Sequence, residues 1–158
     1  MKFLGLDTSK SKTYIVLIND KKETIKVLQE TRKVSENLLV EIDNLLKNEK
    51  LALNEIDYFG AITGPGSFTG IRIGMATIKA FVCALNKRII SLNAFEPYLE
   101  EIENGVMILS STKTTCYYAE IKNNKILNMG VVDIGEILKK FKNDKLYTLD
   151  ECLLENFD

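Results

Sequence analysis

Residues 64–74 read Gly-Pro-Gly-Ser-Phe-Thr-Gly-Ile-Arg-Ile-Gly and hold four of the nine glycines in a chain of 158 residues. A short apolar run, residues 58–63, leads into them, and a long helical pattern follows. The order predicts a strand, a tight turn, and a helix whose first N–H groups are capped by the hydroxyl of Ser67 or Thr69. Such a turn gathers backbone donors at a helix N-terminus, which suits either an anion or a close-packed neighbour.

Two familiar phosphate-binding patterns do not fit. A Walker loop needs four residues between its glycines and then Gly-Lys-Ser/Thr. Here Gly66 and Gly70 are four apart, and Ile71-Arg72 stands where Lys-Ser/Thr belongs. The spacing Gly64-x-Gly66-x-x-x-Gly70 misses the dinucleotide fingerprint by one residue. The plainer reading is a structural loop that lets a helix sit against a sheet.

A net charge of −1 lacks the basic excess of a protein that binds nucleic acid unaided. Cys83, Cys116 and Cys152 are odd in number and include no CxxC pair, so they read as reduced thiols rather than a disulfide or zinc framework. Cys83, in an apolar helical stretch, reads as a small core residue. The chain opens on a strand pattern without a basic-then-apolar leader. Its longest apolar region, 75–85, is broken by Lys79 and is too short to span a bilayer, so the expected address is cytoplasmic. There is no histidine. Ser-His-Asp and Cys-His catalysis, His-ligated metals and imidazole proton transfer are therefore excluded.

Alternation and turn residues predict strands over 2–7, 12–18 and 24–30, with a turn at Asp20-Lys21-Lys22. Residues 34–49 form an amphipathic helix with Val34, Leu38, Leu39, Ile42, Leu45 and Leu46 in one stripe and Val40 facing outward. A strand over 58–63, a helix over 70–85, a strand over 88–92 and a helix over 94–103 follow, with Pro97 in the last helix's first turn. After Asn104-Gly105 the pattern restarts. Strands are expected over 106–110, 116–121 and 125–132, with Asn123-Asn124 as a hairpin turn and a helix over 134–142. Residues 146–158 carry one more short strand or helix. A shift of 103 residues pairs Leu6 with Leu109, Ser9 with Thr112, Lys10 with Lys113, Ser11 with Thr114, Tyr14 with Tyr117, Ile18 with Ile121 and Lys22 with Lys125. With the βββαβα order of the first half, this restart fits two duplicated lobes of the actin-like ATPase (ribonuclease H-like) α/β fold, the second lobe shortened. The boundary falls between 1–93, an N-terminal lobe carrying the glycine loop, and 94–158.

The chain resembles the bacterial TsaB (YeaZ) family along most of residues 1–130. Residues 4–9, Leu-Gly-Leu-Asp-Thr-Ser, resemble the family's opening ILAIDTS. Ser35-Glu36-Asn37-Leu38-Leu39 resembles the start of its first helix, with Val34 where a histidine is usual. Residues 53–57 look like its approach to the fourth strand, and Gly64, Pro65, Gly66, Ser67, Phe68, Thr69, Gly70, Arg72 and Gly74 reproduce its GPGSFTG-x-R-x-G run. Family members are commonly longer. Residues 110–117 stand where many relatives have an Asp-Ala-Arg-like turn.

Actin-like phosphotransferases close two acidic turns around Mg²⁺ and phosphates. Asp7, with Thr8 and Ser9, supplies a candidate nucleotide-side turn in the first lobe. The repeat places neutral Ser110 opposite Asp7, and no adenosine-type glycine loop appears in the second half. Glu100-Glu101 and Asp150-Glu151 read as solvated faces. No catalytic and no metal-ligating residue is assigned. The 70–85 helix is apolar on two sides, Ile71, Ile78, Val82 and Leu85 on one and Ile73, Ala80 and Ala84 on another, with Arg72 and Lys79 as a narrow polar strip. A helix of this kind must be covered on more than one face. Leu38, Leu39, Ile42, Arg72, Met75, Ala76 and Lys79 are the expected partner interface.

The resemblance implies who that partner is. TsaB proteins pair with TsaD, the subunit that carries the metal and active site, and help add threonylcarbamoyl to N6 of adenosine 37 in tRNA. A TsaC-type synthase supplies threonylcarbamoyl-AMP and a TsaE-type ATPase supports turnover. The chain is then a scaffold without a catalytic centre, meeting tRNA only through the complex. It binds no cofactor tightly itself, and ATP or ADP would sit at the subunit interface. Two alternatives stay open: a small ATP-dependent phosphotransferase of the actin-like superfamily, and a regulatory homodimer.

Overall fold

The computed structural model describes residues 1–29, 34–150 and 153, with the side chains of Val34 and Ser35 outside the description. The expected strand end at Glu30, Cys152, Glu151 and most of the 146–158 tail lie outside the described residues. The chain divides into two compact units, Met1–Ala94 and Phe95–Asp158.

In the first unit β1 (Lys2–Asp7), β2 (Thr13–Asn19) and β3 (Lys22–Leu28) form an antiparallel meander. β4 (Tyr58–Ile62) lies parallel beside β1, and β5 (Arg88–Leu92) lies parallel beside β4. The sheet order is β3-β2-β1-β4-β5. Because side chains alternate along a strand, register decides which of them meet. Leu4 lies beside both Leu17 and Phe59, and Leu6 beside both Ile15 and Ala61. These six are all buried and form one apolar floor. Two helices, α1 (Val34–Asn48) and α2 (Phe68–Leu85), add Leu38, Ile42, Leu45, Leu46 and Ile78 to the same core.

The second unit restates the meander with β6 (Asn104–Ser110), β7 (Thr115–Lys122) and β8 (Lys125–Asp133). Then come α3 (Ile134–Lys140) and a two-residue strand, β9 (Leu146–Tyr147), parallel to β6. The sheet order is β8-β7-β6-β9. Its core gathers Val106, Ile108, Cys116, Tyr118, Ile137, Phe141 and Leu153. The 103-residue shift carries the hairpin turn Asp20-Lys21 onto Asn123-Asn124. Asp20, Asn123 and Asn124 all have positive φ, at 56°, 50° and 57°. The small side chains of Asp and Asn tolerate that conformation, which matches the twist of the flanking strands.

Several expectations need correction. The first hairpin turns in two residues, so Lys22 opens β3. The 94–103 helix shrinks to a 3₁₀ turn at Glu96–Tyr98. Pro97 has no N–H to give, and Phe95 and Ile102, on either side of the turn, are both buried. α2 starts at Phe68 and is 18 residues long. By length and composition it is apolar enough to cross a membrane, a test that the core helix of a soluble protein also passes. Its place is on the sheet. Cys83 is exposed, whereas Cys116 is buried. Leu39 does not share the buried stripe of α1: it is 54% exposed, while Leu38 and Ile42 are 1% and 2% exposed. Leu38 and Ile42 therefore belong to the first unit's own core and cannot face a partner.

Candidate functional site: the glycine loop and the outer face of α2

β4 runs straight into the loop. The N–H and hydroxyl of Thr63 both donate to the Leu92 carbonyl, at 2.8 and 3.1 Å, and the Gly64 carbonyl accepts from Ala94 N–H at 2.8 Å. Gly64 takes φ 117° and Gly66 φ 154°, so the chain reverses within three residues. Ser67 is the N-cap of α2: its Oγ accepts from Gly70 N–H at 3.2 Å and its carbonyl from Ile71 N–H at 2.9 Å. Thr69 does not perform this cap.

The loop closes on the turn that leaves β1. Ser67 N–H donates to the Ser9 carbonyl at 2.7 Å. Asp7 Oδ1 accepts from Ser9 N–H at 2.9 Å and from Ser9 Oγ at 2.6 Å, an Asx turn. Thr8 and Ser9 are each only 3% exposed. A Cβ on Gly70 would overlap the Thr8 carbonyl oxygen, and one on Gly66 would overlap the Ser9 carbonyl oxygen. The glycines therefore let the start of α2 lie directly on the Asp7-Thr8-Ser9 turn. Gly74 continues that contact against the Thr8 side chain.

This geometry spends two of the loop's donors within the chain. A nucleotide phosphate would need the N–H groups at the start of α2. Ser67 N–H is spent on Ser9, and Gly70 N–H on Ser67 Oγ. The loop holds a close-packed neighbour, the Asp7-Thr8-Ser9 turn.

The second unit's counterpart of this turn is built differently. Ser110, opposite Asp7 in the repeat, donates its N–H to Asp150 Oδ2 at 2.6 Å. Asp150 is itself steadied by Thr148 Oγ1, which accepts from Asp150 N–H at 3.1 Å. Thr112 Oγ1 accepts from the N–H groups of Thr114 and Thr115, at 3.2 and 3.1 Å, and so holds the turn that Ser9 and Asp7 hold in the first unit. A carboxylate does reach the second turn, from forty residues downstream. The reading of Asp150 as part of a solvated face is corrected. No shift of 103 could have found it, since its counterpart does not lie in the first unit's β1–β2 turn.

α2 presents a different kind of surface on its other side. Only Gly74 and Ile78 are buried, while Ile73, Met75, Phe81, Val82 and Leu85 pack partly on the core. Phe68, Thr69, Arg72, Ala76, Lys79, Ala80, Cys83 and Ala84 are exposed and, at 100° per residue, share roughly half of the helix circumference. Phe68 is 68% exposed, with the Arg72 guanidinium 3.8 Å above its ring. Of the expected partner residues, Arg72, Ala76, Lys79 and Leu39 lie on open surface. Met75 turns partly to the core. Phe68, Ala80 and Cys83 join the face, and the exposure of Cys83 was misread from the sequence because apolar periodicity alone does not say which side of an all-apolar helix is covered.

Among the described residues no group of three or more His, Cys, Asp or Glu side chains converges as a metal site. Burial pushes the Cys116 thiol above its ordinary range, as does the charge of Asp133, so Cys116 is an inert core thiol.

The profile of the TsaD family, tRNA N6-adenosine threonylcarbamoyltransferase, matches residues 27–149. The tRNA threonylcarbamoyladenosine biosynthesis protein TsaB of Haemophilus influenzae is 27% identical over 86% of this chain and 58% of its own length. The TsaB of Buchnera aphidicola is 31% identical over 77% of this chain and 58% of its own length. The chain thus spans under two thirds of these curated relatives. Among solved structures, YeaZ from Pseudomonas aeruginosa superposes with a TM-score of 0.72 at 17% identity, over 99% of this chain and 90% of that one. The ethanolamine utilization protein EutJ from Carboxydothermus hydrogenoformans superposes with a TM-score of 0.51 at 14% identity, over 90% and 57%. These likenesses show the fold: two α/β units of the actin-like, ribonuclease H-like kind. Taken with the glycine loop seated on the Asp7 turn, the matches show that the chain belongs to the TsaD family and, within it, to the TsaB/YeaZ branch.

Proposed function

We propose that this chain is a non-catalytic scaffold or activating subunit in the formation of N6-threonylcarbamoyladenosine at position 37 of tRNA, docking to a TsaD-type catalytic subunit through the outer face of α2. The observation that carries the reading is the face itself. It is an 18-residue apolar helix with two buried residues, open along small side chains that let a second helix approach closely. Arg72 and Lys79 give that face a positive edge. The absence of histidine and the internal use of the loop donors support a scaffold rather than an enzyme. In this reading a TsaE-type ATPase is a further partner, and ATP or ADP belongs to the subunit boundary of the complex.

One observation favours a second reading, an ATP-dependent phosphotransferase: each unit has a carboxylate at its first turn, Asp7 in one and Asp150 in the other. Reconstitution with tRNA, ATP, bicarbonate and threonine, leaving out one protein at a time, separates the two. Modification is expected only when the chain accompanies a TsaD-type subunit, a synthase and the ATPase. Ala76→Arg should abolish both modification and TsaD binding while leaving the melting temperature within a degree or so, because Ala76 is exposed. ATP turnover by the purified chain, lost in Asp7→Ala, would replace the scaffold with the phosphotransferase.

A further inference from the structure

Along the open side of α2, Thr69, Arg72, Ala76, Lys79 and Cys83 are all exposed. They recur at intervals of three and four, the spacing of a seam along which one helix packs on another. Small residues alternate there with cations: Thr69, Ala76 and Cys83 leave room, and Arg72 and Lys79 stand between them. Seven residues of helical rise set the two charges about 10 Å apart on one stripe. α2 has no aspartate or glutamate in its 18 residues. Arg72 is held beside Phe68, its guanidinium 3.8 Å above the ring. Among the described residues neither cation has an ion-pair partner, whereas Lys2, Lys22, Lys26 and Lys47 of the same unit each have one.

We propose that this seam selects its partner by charge: it takes an α-helix that presents two carboxylates seven residues apart with small residues between them, and it disfavours another α2. The inference rests on the docking role of α2 proposed above and adds what that surface recognises. Covering the seam takes Arg72 and Lys79 out of water, and a buried cation left unpaired is strongly unfavourable. A partner helix with Asp or Glu at matching positions replaces that loss by two ion pairs. Two α2 helices packed together would instead gather four cations and no carboxylate in one seam. In a parallel pair Arg72 faces Arg72 and Lys79 faces Lys79. In an antiparallel pair about the midpoint of Met75 and Ala76, Arg72 faces Lys79 twice. The neighbouring α1 does little to correct this, since Glu41 and Asp43 are bound to Lys26 and Lys47, leaving Glu36 against two cations. Repulsion of the wrong partner is as much a part of specificity as attraction to the right one. The spacing also fixes register, because sliding the partner by one turn sets its carboxylates against the small residues.

Arg72→Glu and Lys79→Glu, made together, turn the chain into a partner of this kind: the same small-residue seam with two carboxylates seven residues apart. Both positions are exposed, so the melting temperature should hold within a degree or so. Sedimentation of the full parent chain mixed with the double variant should show a mixed pair at least about tenfold tighter than the self-pair of either. That advantage should shrink as salt is raised. The neutral pair Arg72→Gln, Lys79→Gln should keep the fold and lose the preference for the double variant. A TsaD-type subunit should bind the parent and bind the double variant at least about tenfold more weakly. If it binds both equally, the charge selection is wrong and the docking role stands. If it binds neither while the mixed pair forms, the docking role is wrong and the charge selection stands. Self-pairs as tight as the mixed pair at low salt would overturn the proposal.

Discussion

Ser67 does two jobs at once, and the neighbouring glycines exist to let it. Its N–H reaches the Ser9 carbonyl and its hydroxyl caps α2, which is feasible only while Gly70 has no side chain against the Thr8 carbonyl. Gly70→Ala should therefore cost about 2–4 kcal/mol of the first unit's stability, since the atom it meets is backbone and cannot swing away. Ser67→Ala should cost about 1 kcal/mol, the usual loss of a cap. Gly135→Ala is the control, because its nearest obstacle is Asp133 Oδ1 at 3.2 Å. Urea midpoints for the three variants check the order, and a Gly70→Ala protein no less stable than Gly135→Ala would remove the argument for a tight seat. That the run 64–74 forms a strand-turn-helix junction was legible from residue types alone. That its neighbour is the turn at Asp7 was not, because the contact joins segments more than fifty residues apart.

At the scale of elements, α1 and α2 show what periodicity can and cannot say. In α1 the stripe spacing identifies Leu38, Ile42, Leu45 and Leu46, all buried. Leu39 stands one step, 100°, from Leu38, and that step carries it to solvent. Leu38→Ala should destabilise the first unit by about 2–5 kcal/mol through the cavity it leaves. Leu39→Ala should change stability by no more than about 0.5 kcal/mol and should weaken binding to a TsaD-type subunit if the outer surfaces of α1 and α2 act together. Denaturation and titration on the same two variants separate core from interface. Comparable stability losses at both positions would mean that Leu39 is covered in solution. In α2 the pattern is apolar nearly all round, so no periodicity marks the side that meets the sheet. The deciding positions are Gly74 and Ile78, chosen by the fit of the helix against Thr8 and the floor of β1 and β4.

Over the whole molecule the two units differ in how charge supports them. Among the described residues, three carboxylates held below their ordinary range all lie in the first unit. The Met1 ammonium holds Asp20 by a hydrogen bond, Lys22 holds Glu49, and Glu55 is held first by Ala52 N–H and then by Lys2. A carboxylate whose folded pKa is depressed contributes stability above its unfolded pKa and loses it as pH falls through the folded value. The Met1 ammonium has the opposite sign: its pKa is raised by Asp20, so its contribution holds below its ordinary 8.0 and fades as pH rises past the folded value. Stability of the first unit should thus decline on the acid side, between about pH 5 and pH 3, with little from the exposed Asp20 and Glu55 and more from Glu49, whose side chain is 12% exposed. Hydrogen exchange at β1 and β4 across that range measures it. Glu55→Gln should flatten the acid limb, and an unchanged limb would show that Glu55 takes no part.

Local residue chemistry by itself determined the meander order, the Asn123-Asn124 hairpin, the restart after 103 residues, the glycine junction and the family. Each depends on neighbours within a few positions, on a repeating pattern, or on a run long enough to be specific. Three things were decided only by the tertiary structure. The loop seats the Asp7 turn, because Ser67 N–H reaches the Ser9 carbonyl and Gly66 and Gly70 leave room for the Ser9 and Thr8 carbonyls. The second turn does receive a carboxylate, because the chain after β9 returns Asp150 to Ser110. The open side of α2 runs along Thr69, Arg72, Ala76, Lys79, Ala80 and Cys83, because a helix without a polar face is oriented by the surface it packs on and not by its own sequence.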